Sequence, residues 1–236
     1  MRNWLIFAGV SCKDYGVYTN GKKTFNGAER EYDSVKIPGR SGELTIDHGT
    51  YKNIPVEYES FIVRNFRQNT QDYRNFLLTK KGYQRLEDTY NPGEYRMARY
   101  AGSFDVDVSD ALREGNFVLS FDCMPQRFLR SGDQAITLTA SSSVHNANLT
   151  VSKPIIRVYG VGTVTIGGIP IQITANQSYT DINCETESAY RGSTNLNGNI
   201  VLNSTKDFWE LKPGNNTVTI GTGITRVEIT PKWWIL

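Results

Sequence analysis

The chain has 236 residues, a length that fits one large domain or two ordinary domains with separate cores. Its 39% hydrophobic and 21% charged residues are typical of a folded protein and exclude a largely disordered chain. A net charge of +2 leaves too little excess positive charge for tight binding of nucleic acid through its phosphates.

The first residues are apolar only briefly, so they are too short for a signal-peptide core or a membrane span. The three cysteines are scattered, odd in number and without a C-x-x-C pair, a pattern that fits neither a disulfide framework nor a zinc site. We therefore expect a protein that folds in a cytoplasm, with reduced and idle thiols and without membrane association.

Alternation with period two dominates the first half, and one helix interrupts it. Residues 56–63 are predicted to form a strand. Asn69 or Thr70 is the predicted N-cap of the helix, and residues 80–82 end it. Its apolar stripe, which is expected to cover a sheet, consists of Tyr73, Phe76 and Leu77.

Residues 104–108 and 116–122 both alternate between apolar and polar side chains, and they flank a polar turn. This pattern predicts a hairpin whose inner face includes Phe104 and Phe117. The next stretch, residues 130–144, is polar and rich in serine, which is typical of a domain boundary. We therefore predict one domain over residues 1–130 and a second over residues 131–236.

The second half has no helical stripe and reads as short strands and tight turns. Residues 164–173 are two alternating strands joined by Gly167 and Gly168, the pattern of a two-residue hairpin. Pro170 cannot donate a backbone hydrogen bond, which predicts an edge strand or a solvent-facing position. The predicted fold of this half is a β-sandwich or jelly roll.

Candidate chemical sites fail on spacing or on context. His48 and His145 stand beside loop residues and are expected to be exposed or in turns. The acidic run from residue 105 lacks the calcium-loop residues, because Asp110 replaces the required glycine and Asn116 replaces the closing glutamate. Residues 160–162 lack a third glycine and a following helix. The sequence therefore predicts no catalytic residue, metal or cofactor, and no enzyme.

Two groups of aromatic residues leave alternatives open. They could provide a stacking platform for a sugar or a single-stranded nucleic acid, or they could fill a core and contact another subunit. One group lies in an irregular stretch with two arginines, and the other precedes the last two residues. They comprise Tyr90, Tyr95, Arg96, Arg99 and Tyr100 in the first group, and Trp233 and Trp234 in the second.

Several segments, taken in order, resemble the distal tail protein family of siphophages. They cover nearly the whole chain, and their order and spacing carry the resemblance. The segments are a glycine-rich run at 38–44 followed by 51–53, the helix at 72–77, the runs at 82–86 and 92–98, a closing strand at 117–126, and the start of the second domain at 153–160.

The resemblance implies a mainly β protein, with an N-terminal β-sandwich that has one α-helix and a projecting hairpin, and a C-terminal galectin-like β-sandwich. Copies are expected to close a hexameric ring in the tail tip of the virion, after assembly in the bacterial cytoplasm. The implied partners are further copies, the tail tube protein, a tail-tip hub protein and a receptor-binding protein. The implied role is that of a structural hub.

Two sets of residues are candidates for these contacts. Glycines that flank Arg40 allow close approach of the backbone, so the loop is a candidate contact with another tail protein or a plain turn. Ring anchors are expected among aromatic residues of the first domain. The loop consists of Pro38, Gly39, Arg40, Ser41 and Gly42, and the aromatic candidates are Tyr58, Phe61 and Tyr95.

The chief alternative is a glycan-binding phage adhesin that attaches to the host cell wall, because galectin-like sandwiches can bind sugars. Galectins place His, Asn and Arg at alternate positions of one strand, whereas Ala147 follows His145 at that spacing here and no Arg comes after it. A tail-associated hydrolase is a third alternative, but no acid and base are paired in a glycine-framed loop.

Overall fold

A computed structural model describes residues 2–20, 26–63, 65–109, 114–175, 178–203 and 207–236, with the backbone alone for 107–109 and 114. The chain divides into two compact units, Met1–Arg127 with Leu236 and Phe128–Ile235. This division falls three residues before the boundary that the sequence predicts. The prediction of a mainly β protein with one α-helix is confirmed for the described residues.

The first unit contains the only α-helix among the described residues and most of the longer strands. A short 3₁₀ turn, Cys12–Tyr15, precedes its third strand. Its elements are β1 Leu5–Phe7, β2 Val10–Ser11, β3 Val17–Thr19, β4 Arg30–Lys36, β5 Glu43–Tyr51, β6 Ile54–Val63, α1 Phe66–Thr79, β7 Gln84–Asp88, β8 Glu94–Tyr100, β9 Asp107–Ser109 and β10 Glu114–Leu129.

The main sheet of this unit is curled and follows the order β2-β1-β7-β8-β10-β6-β3. Its longest pairing joins β6 and β10, which run antiparallel from Val63 opposite Glu114 to Ile54 opposite Cys123. An isolated bridge between Asn3 and Thr19 links the chain before β1 to the end of β3. The sheet thereby encloses one core.

Alternation places the predicted apolar face of β10 in that core. Phe117, Leu119 and Phe121 are buried there, as the sequence predicts, and Phe104 packs on Phe117 with ring centroids 5.0 Å apart. The predicted hairpin is confirmed as the pairing of β9 with the start of β10, while residue 104 precedes the paired part. Its turn, residues 110–113, lies outside the described residues.

The helix α1 begins earlier than the sequence predicts. Its N-cap is Asn65, not Asn69 or Thr70, although it ends at Thr79 as expected. The added first turn carries Phe66, which packs on the core, and a Cβ at Gly115 would lie only 2.2 Å from this ring. Tertiary packing of an aromatic residue, and not a capping side chain, therefore sets the start of the helix.

The second unit is a β-sandwich, with 3₁₀ turns at Arg130–Asp133 and Asn197–Asn199. Two strands lie where the sequence predicts only a polar boundary segment. The strands are β11 Ile136–Leu138, β12 Ser142–Asn146, β13 Ile155–Gly160, β14 Gly162–Ile166, β15 Ile169–Ile173, β16 Thr180–Asn183, β17 Ser188–Arg191, β18 Thr194–Asn195, β19 Ile200–Val201, β20 Gly214–Ile220, β21 Ile224–Thr230 and β22 Trp234–Ile235.

Its two sheets have the orders β11-β21-β13-β16-β17-β18 and β12-β20-β14-β15-β19, and their inner faces share one core. The predicted two-residue hairpin is confirmed, because Ile166 pairs with Ile169 across the glycines. Pro170 is exposed in β15 and lies beyond the two residue pairs that join this strand to β19. Of the two positions predicted for Pro170, the solvent-facing one is therefore observed.

One turn of this core is packed backbone against backbone. Gly160 ends β13 at an irregularity in its pairing with β21, and its φ is +104°. A Cβ at this position would lie 2.1 Å from the carbonyl oxygen of Gly223. By contrast, Gly168 in the hairpin turn also has a positive φ, +87°, but has nothing within 4 Å of the Cβ position.

Candidate interaction surface

The strands β4 and β5 form a two-stranded sheet of their own, which we call the ribbon. The pairing is antiparallel, with Val35 opposite Leu44 and Asp33 opposite Ile46. Every side chain of β4, and all but the last of β5, is exposed. A two-stranded ribbon is at best marginally stable in water without a further layer. The ribbon therefore lacks a second layer of structure, which the main sheet of the first unit has.

The ribbon is amphipathic. Opposite residues share a face and successive residues alternate, so Val35, Leu44, Ile46 and Ile37 lie on one side, with the pair Asp33–His48 at the end of that side away from the tip. These four are between 39% and 49% exposed and define the apolar face. Large exposed apolar patches mark interaction sites more often than isolated exposed residues do. The apolar face is therefore the strongest candidate for a contact in this unit.

The opposite face of the ribbon is polar and carries ion pairs. Arg30 lies 2.7 Å from Asp47, and Lys36 lies 3.9 Å from Glu43. A backbone hydrogen bond from Gly49 and then the Arg30 guanidinium lower the pKa of Asp47. Because these side chains are exposed, the pairs contribute little to stability, and their main effect is to keep this face hydrated.

The predicted contact loop lies at the tip of the ribbon. The Arg40 N–H donates to the carbonyl of Ile37 at 3.2 Å, and Gly39 has a φ of +81°. Proline followed by a glycine with positive φ is the signature of a type II turn, so the order Pro38-Gly39 fixes the tip. The hollow at the tip has a volume of about 490 Å³ and is lined by Lys36, Ile37, Pro38, Arg40, Gly42 and Glu43.

Two of the three aromatic candidates have little surface left to offer another subunit. Tyr58 packs on the core and donates its hydroxyl to Asp88 at 3.0 Å, and burial raises its pKa well above the usual value. Tyr95 is only 7% exposed, and the Arg85 guanidinium lies 3.7 Å from its ring centroid. Both positions remain predictions as ring anchors.

Phe61 differs, because it lies on the outside of the curled sheet. It stacks on Tyr18 with ring centroids 5.9 Å apart, and the Arg2 guanidinium lies over both rings. Beside it on the same face, Val118 is 44% exposed and stands opposite Glu59. With Glu57, one step further along β6, Glu59, Phe61 and Val118 form what we call the outer patch.

The tyrosines of the irregular stretch do not form a stacking platform. Tyr90 donates its hydroxyl to the backbone carbonyl of Asn20. The ring of Tyr100 packs edge-on against Phe121, with centroids 5.6 Å apart, and Tyr95 is buried. At the other end, Trp233 packs against the second core, which is the core-filling use that the sequence left open.

The strand that corresponds in sequence to a galectin site uses its polar residues internally. The amide of Asn146, which is buried, donates to the carbonyls of Thr150 and Leu211 at 2.9 and 3.0 Å. His145 pairs with Asn215 at 2.8 Å and is exposed. His48 is also exposed, at 3.0 Å from Asp33.

The three cysteines are free and buried, as the sequence predicts. Burial raises the pKa of Cys12, Cys123 and Cys184 to about 12, so these thiols are poor nucleophiles near neutral pH. Within the described ranges, no three His, Cys, Asp or Glu side chains are placed to hold a metal ion. No helix of the described residues is long and apolar enough to span a membrane.

Sequence reasoning found the tip but missed the apolar face. The missing signal is the alternation on both sides of the loop, in residues 33–37 and 44–46, where each second residue is largely aliphatic. Because each run is short and contains charges, its alternation is weaker than in the core strands.

The structure is similar over its whole length to solved phage proteins. The crystal structure of the Dit protein of phage SPP1, described as a paradigm of the hub adsorption apparatus in phages that infect Gram-positive bacteria, matches with a TM-score of 0.73 and 18% identity over 99% of each chain. A chain of the phage p2 baseplate in its activated conformation matches with a TM-score of 0.54 and 11% identity over 97% of each chain.

The resemblance to siphophage distal tail proteins is thereby confirmed at the level of the fold. No protein-family model and no curated protein matches the sequence.

Proposed function

We propose that this protein is a structural hub in the tail tip of a long-tailed bacteriophage. Six copies form a closed ring that joins the tail tube to the tail-tip proteins, and the protein has no enzymatic activity. The similarity over 99% of both chains to a hub protein of phage SPP1 supports this role. The uncovered apolar face of the ribbon is the observation within this chain that carries the proposal.

The physical argument begins with the ribbon. Its four aliphatic side chains contact water in the single protomer, and burial of that apolar surface is favourable. The ribbon is also a two-stranded sheet of its own, so its outer strand edges have unpaired backbone groups unless another chain covers them. A second copy that contacts both the face and an edge would satisfy both needs.

A contact between two different surfaces of identical copies closes into a ring when the rotation between neighbours allows it. The ribbon offers one such surface, because it is a separate two-stranded sheet with exposed aliphatic side chains. The copy number of six that we propose is the one that the resemblance to distal tail proteins implies. The second unit and the remaining surface of the first unit stay available for other partners, which we propose to be the tail tube protein, a tail-tip hub protein and a receptor-binding protein.

Such a protein is a component of the virion and assembles in the cytoplasm of the bacterial host. Its second unit is a sandwich with its own core, which suits a module on the outside of the ring. The glycan-binding alternative has no comparable support, because the polar residues of the corresponding strand bind the protein itself.

Native mass spectrometry of the full chain tests the ring. We expect a species of about 160 kDa, six times the chain mass of 26.6 kDa, at tens of micromolar protein. Negative-stain electron microscopy of the same sample should show closed rings. A chain that stays monomeric under these conditions would contradict self-assembly, and an open-ended series of oligomers would contradict closure.

A further inference from the structure

One exposed charge on each of two surfaces of the first unit has no side-chain partner among the described residues: Arg40 at the tip of the ribbon and Glu59 in the outer patch. We infer that the ribbon of one copy docks on the outer patch of the next copy, with Arg40 beside Glu59. This inference rests on the proposed ring and names both surfaces of its repeated contact.

The two surfaces match in apolar character. The apolar face of the ribbon presents four aliphatic side chains, and the outer patch presents Val118, which is 44% exposed, beside the half-buried ring of Phe61. Both surfaces belong to the first unit, and both are at least partly exposed to solvent in the protomer. A contact between them removes aliphatic and aromatic area from water on both sides, as in the centre of stable interfaces.

The two surfaces also match in charge. The tip carries Arg40, whose side chain has no partner among the described residues, whereas Lys36 lies on the polar face, 3.9 Å from Glu43. The outer patch carries Glu57 and Glu59, and of these two carboxylates only that of Glu57 accepts a hydrogen bond within the described residues, from the Ser120 hydroxyl at 3.4 Å. Complementary charges at the rim of a contact set its register and exclude wrong pairings.

The ribbon is long enough to reach a neighbour. The nine residues of β5 span about 30 Å, and a unit of this size has a diameter of roughly 36 Å. The chain passes from β5 into β6 through only two residues, Lys52 and Asn53, so each copy offers both surfaces from one continuous segment. Since the two surfaces differ, their contact is head to tail and can close a ring.

A charge exchange in the full chain tests the pairing. Arg40→Glu and Glu59→Arg should each weaken the ring contact about tenfold or more, because each places like charges together. The double variant Arg40→Glu with Glu59→Arg should restore most of the wild-type assembly. Lys212→Glu makes the same change of charge as Arg40→Glu at an exposed position of the second unit, and should assemble like the wild type.

Disulfide trapping gives a second measurement that does not depend on charge. The full chain with Leu44→Cys and Val118→Cys should, after oxidation with diamide, give a ladder of covalent oligomers on denaturing gels that ends at six copies. Each single variant should give at most a covalent dimer, since the three natural cysteines are buried.

The outcomes separate this pairing from the ring itself. A wild-type chain that never assembles would overturn both the ring and the pairing. Rings in which the double variant is no better than the single variants, and in which no ladder forms, would overturn only the pairing. A cross-link confined to the monomer would overturn it too, because it would show the ribbon folding back onto its own patch.

Discussion

Replacing two residues of the apolar face should prevent the proposed ring from forming without unfolding the protomer. The change is Leu44→Thr with Ile46→Thr, which removes two aliphatic side chains and keeps residues that suit a strand. Both positions are exposed in the single protomer, at 46% and 49%. Surface substitutions of this kind usually change the stability of the fold by less than about 0.5 kcal/mol.

The expected loss of affinity between copies follows from the apolar surface of Leu44 and Ile46 that is still exposed in the protomer. Full burial of a Leu or Ile side chain contributes about 1.5 to 3 kcal/mol, and about half of each residue is already covered in the protomer, so each contributes roughly 1 kcal/mol to a contact. The double variant therefore loses about 2 kcal/mol per contact, which is a factor of about 30 in affinity. A ring repeats this loss at every junction.

Mass photometry over a range of concentrations measures the ring fraction, and thermal unfolding measures the protomer. The matched control is Ser34→Ala with Thr45→Ala, an opposite pair on the polar face of the same ribbon. The control should keep both the ring and the melting temperature. If the Thr variant were to assemble at wild-type concentrations while folded, the apolar face could not be the ring contact.

Three further results are expected. Gly160→Ala should destabilise the second unit by about 3 kcal/mol or more, because the new Cβ would collide with the backbone. Gly168→Ala should destabilise it by only about 1 kcal/mol. Urea unfolding followed by tryptophan fluorescence measures both losses, and equal losses would contradict a steric cause. The three thiols, with pKa values of about 12 against 9.0 for an unburied thiol, should not react with a disulfide reagent at pH 8 until the protein unfolds. Because these pKa values are raised on folding, the thiols' contribution to stability should persist below about pH 9 and disappear between about pH 9 and pH 12. Residues 128–235 alone should melt cooperatively; a broad melt would contradict an autonomous core.

Local sequence patterns were sufficient to predict those strands that have one buried and one exposed face. The hairpin at Gly167 and Gly168 and the inward residues of β10 follow from alternation and turn chemistry, which act within a few residues. The start of α1 could not be predicted in this way. It depends on Phe66 packing beside Gly115, about fifty residues away in the chain, and no capping residue reports that contact.

The candidate site was only partly predictable for the same reason. The tip was recognisable, because proline and glycine encode its turn directly. The orientation of the aromatic residues was not, because it depends on the register between distant strands. Tyr58 stands opposite the buried Leu119, whereas Phe61 stands opposite the exposed Asn116. Residue type alone predicts the same burial for Tyr58 and Phe61. Only the pairing of β6 with β10 shows that Tyr58 faces the core and Phe61 faces outward.

The polar face of the ribbon has a consequence for the time between synthesis and assembly. Newly made protomers must coexist in a crowded cell with an aliphatic surface uncovered, a condition that promotes amorphous precipitation. The pairs Arg30–Asp47 and Lys36–Glu43 on the reverse side keep that side hydrated, so two ribbons cannot stack on both faces. In the proposed assembly, the charges that add little to stability therefore act as gatekeepers, which oppose aggregation of protomers that have not yet assembled.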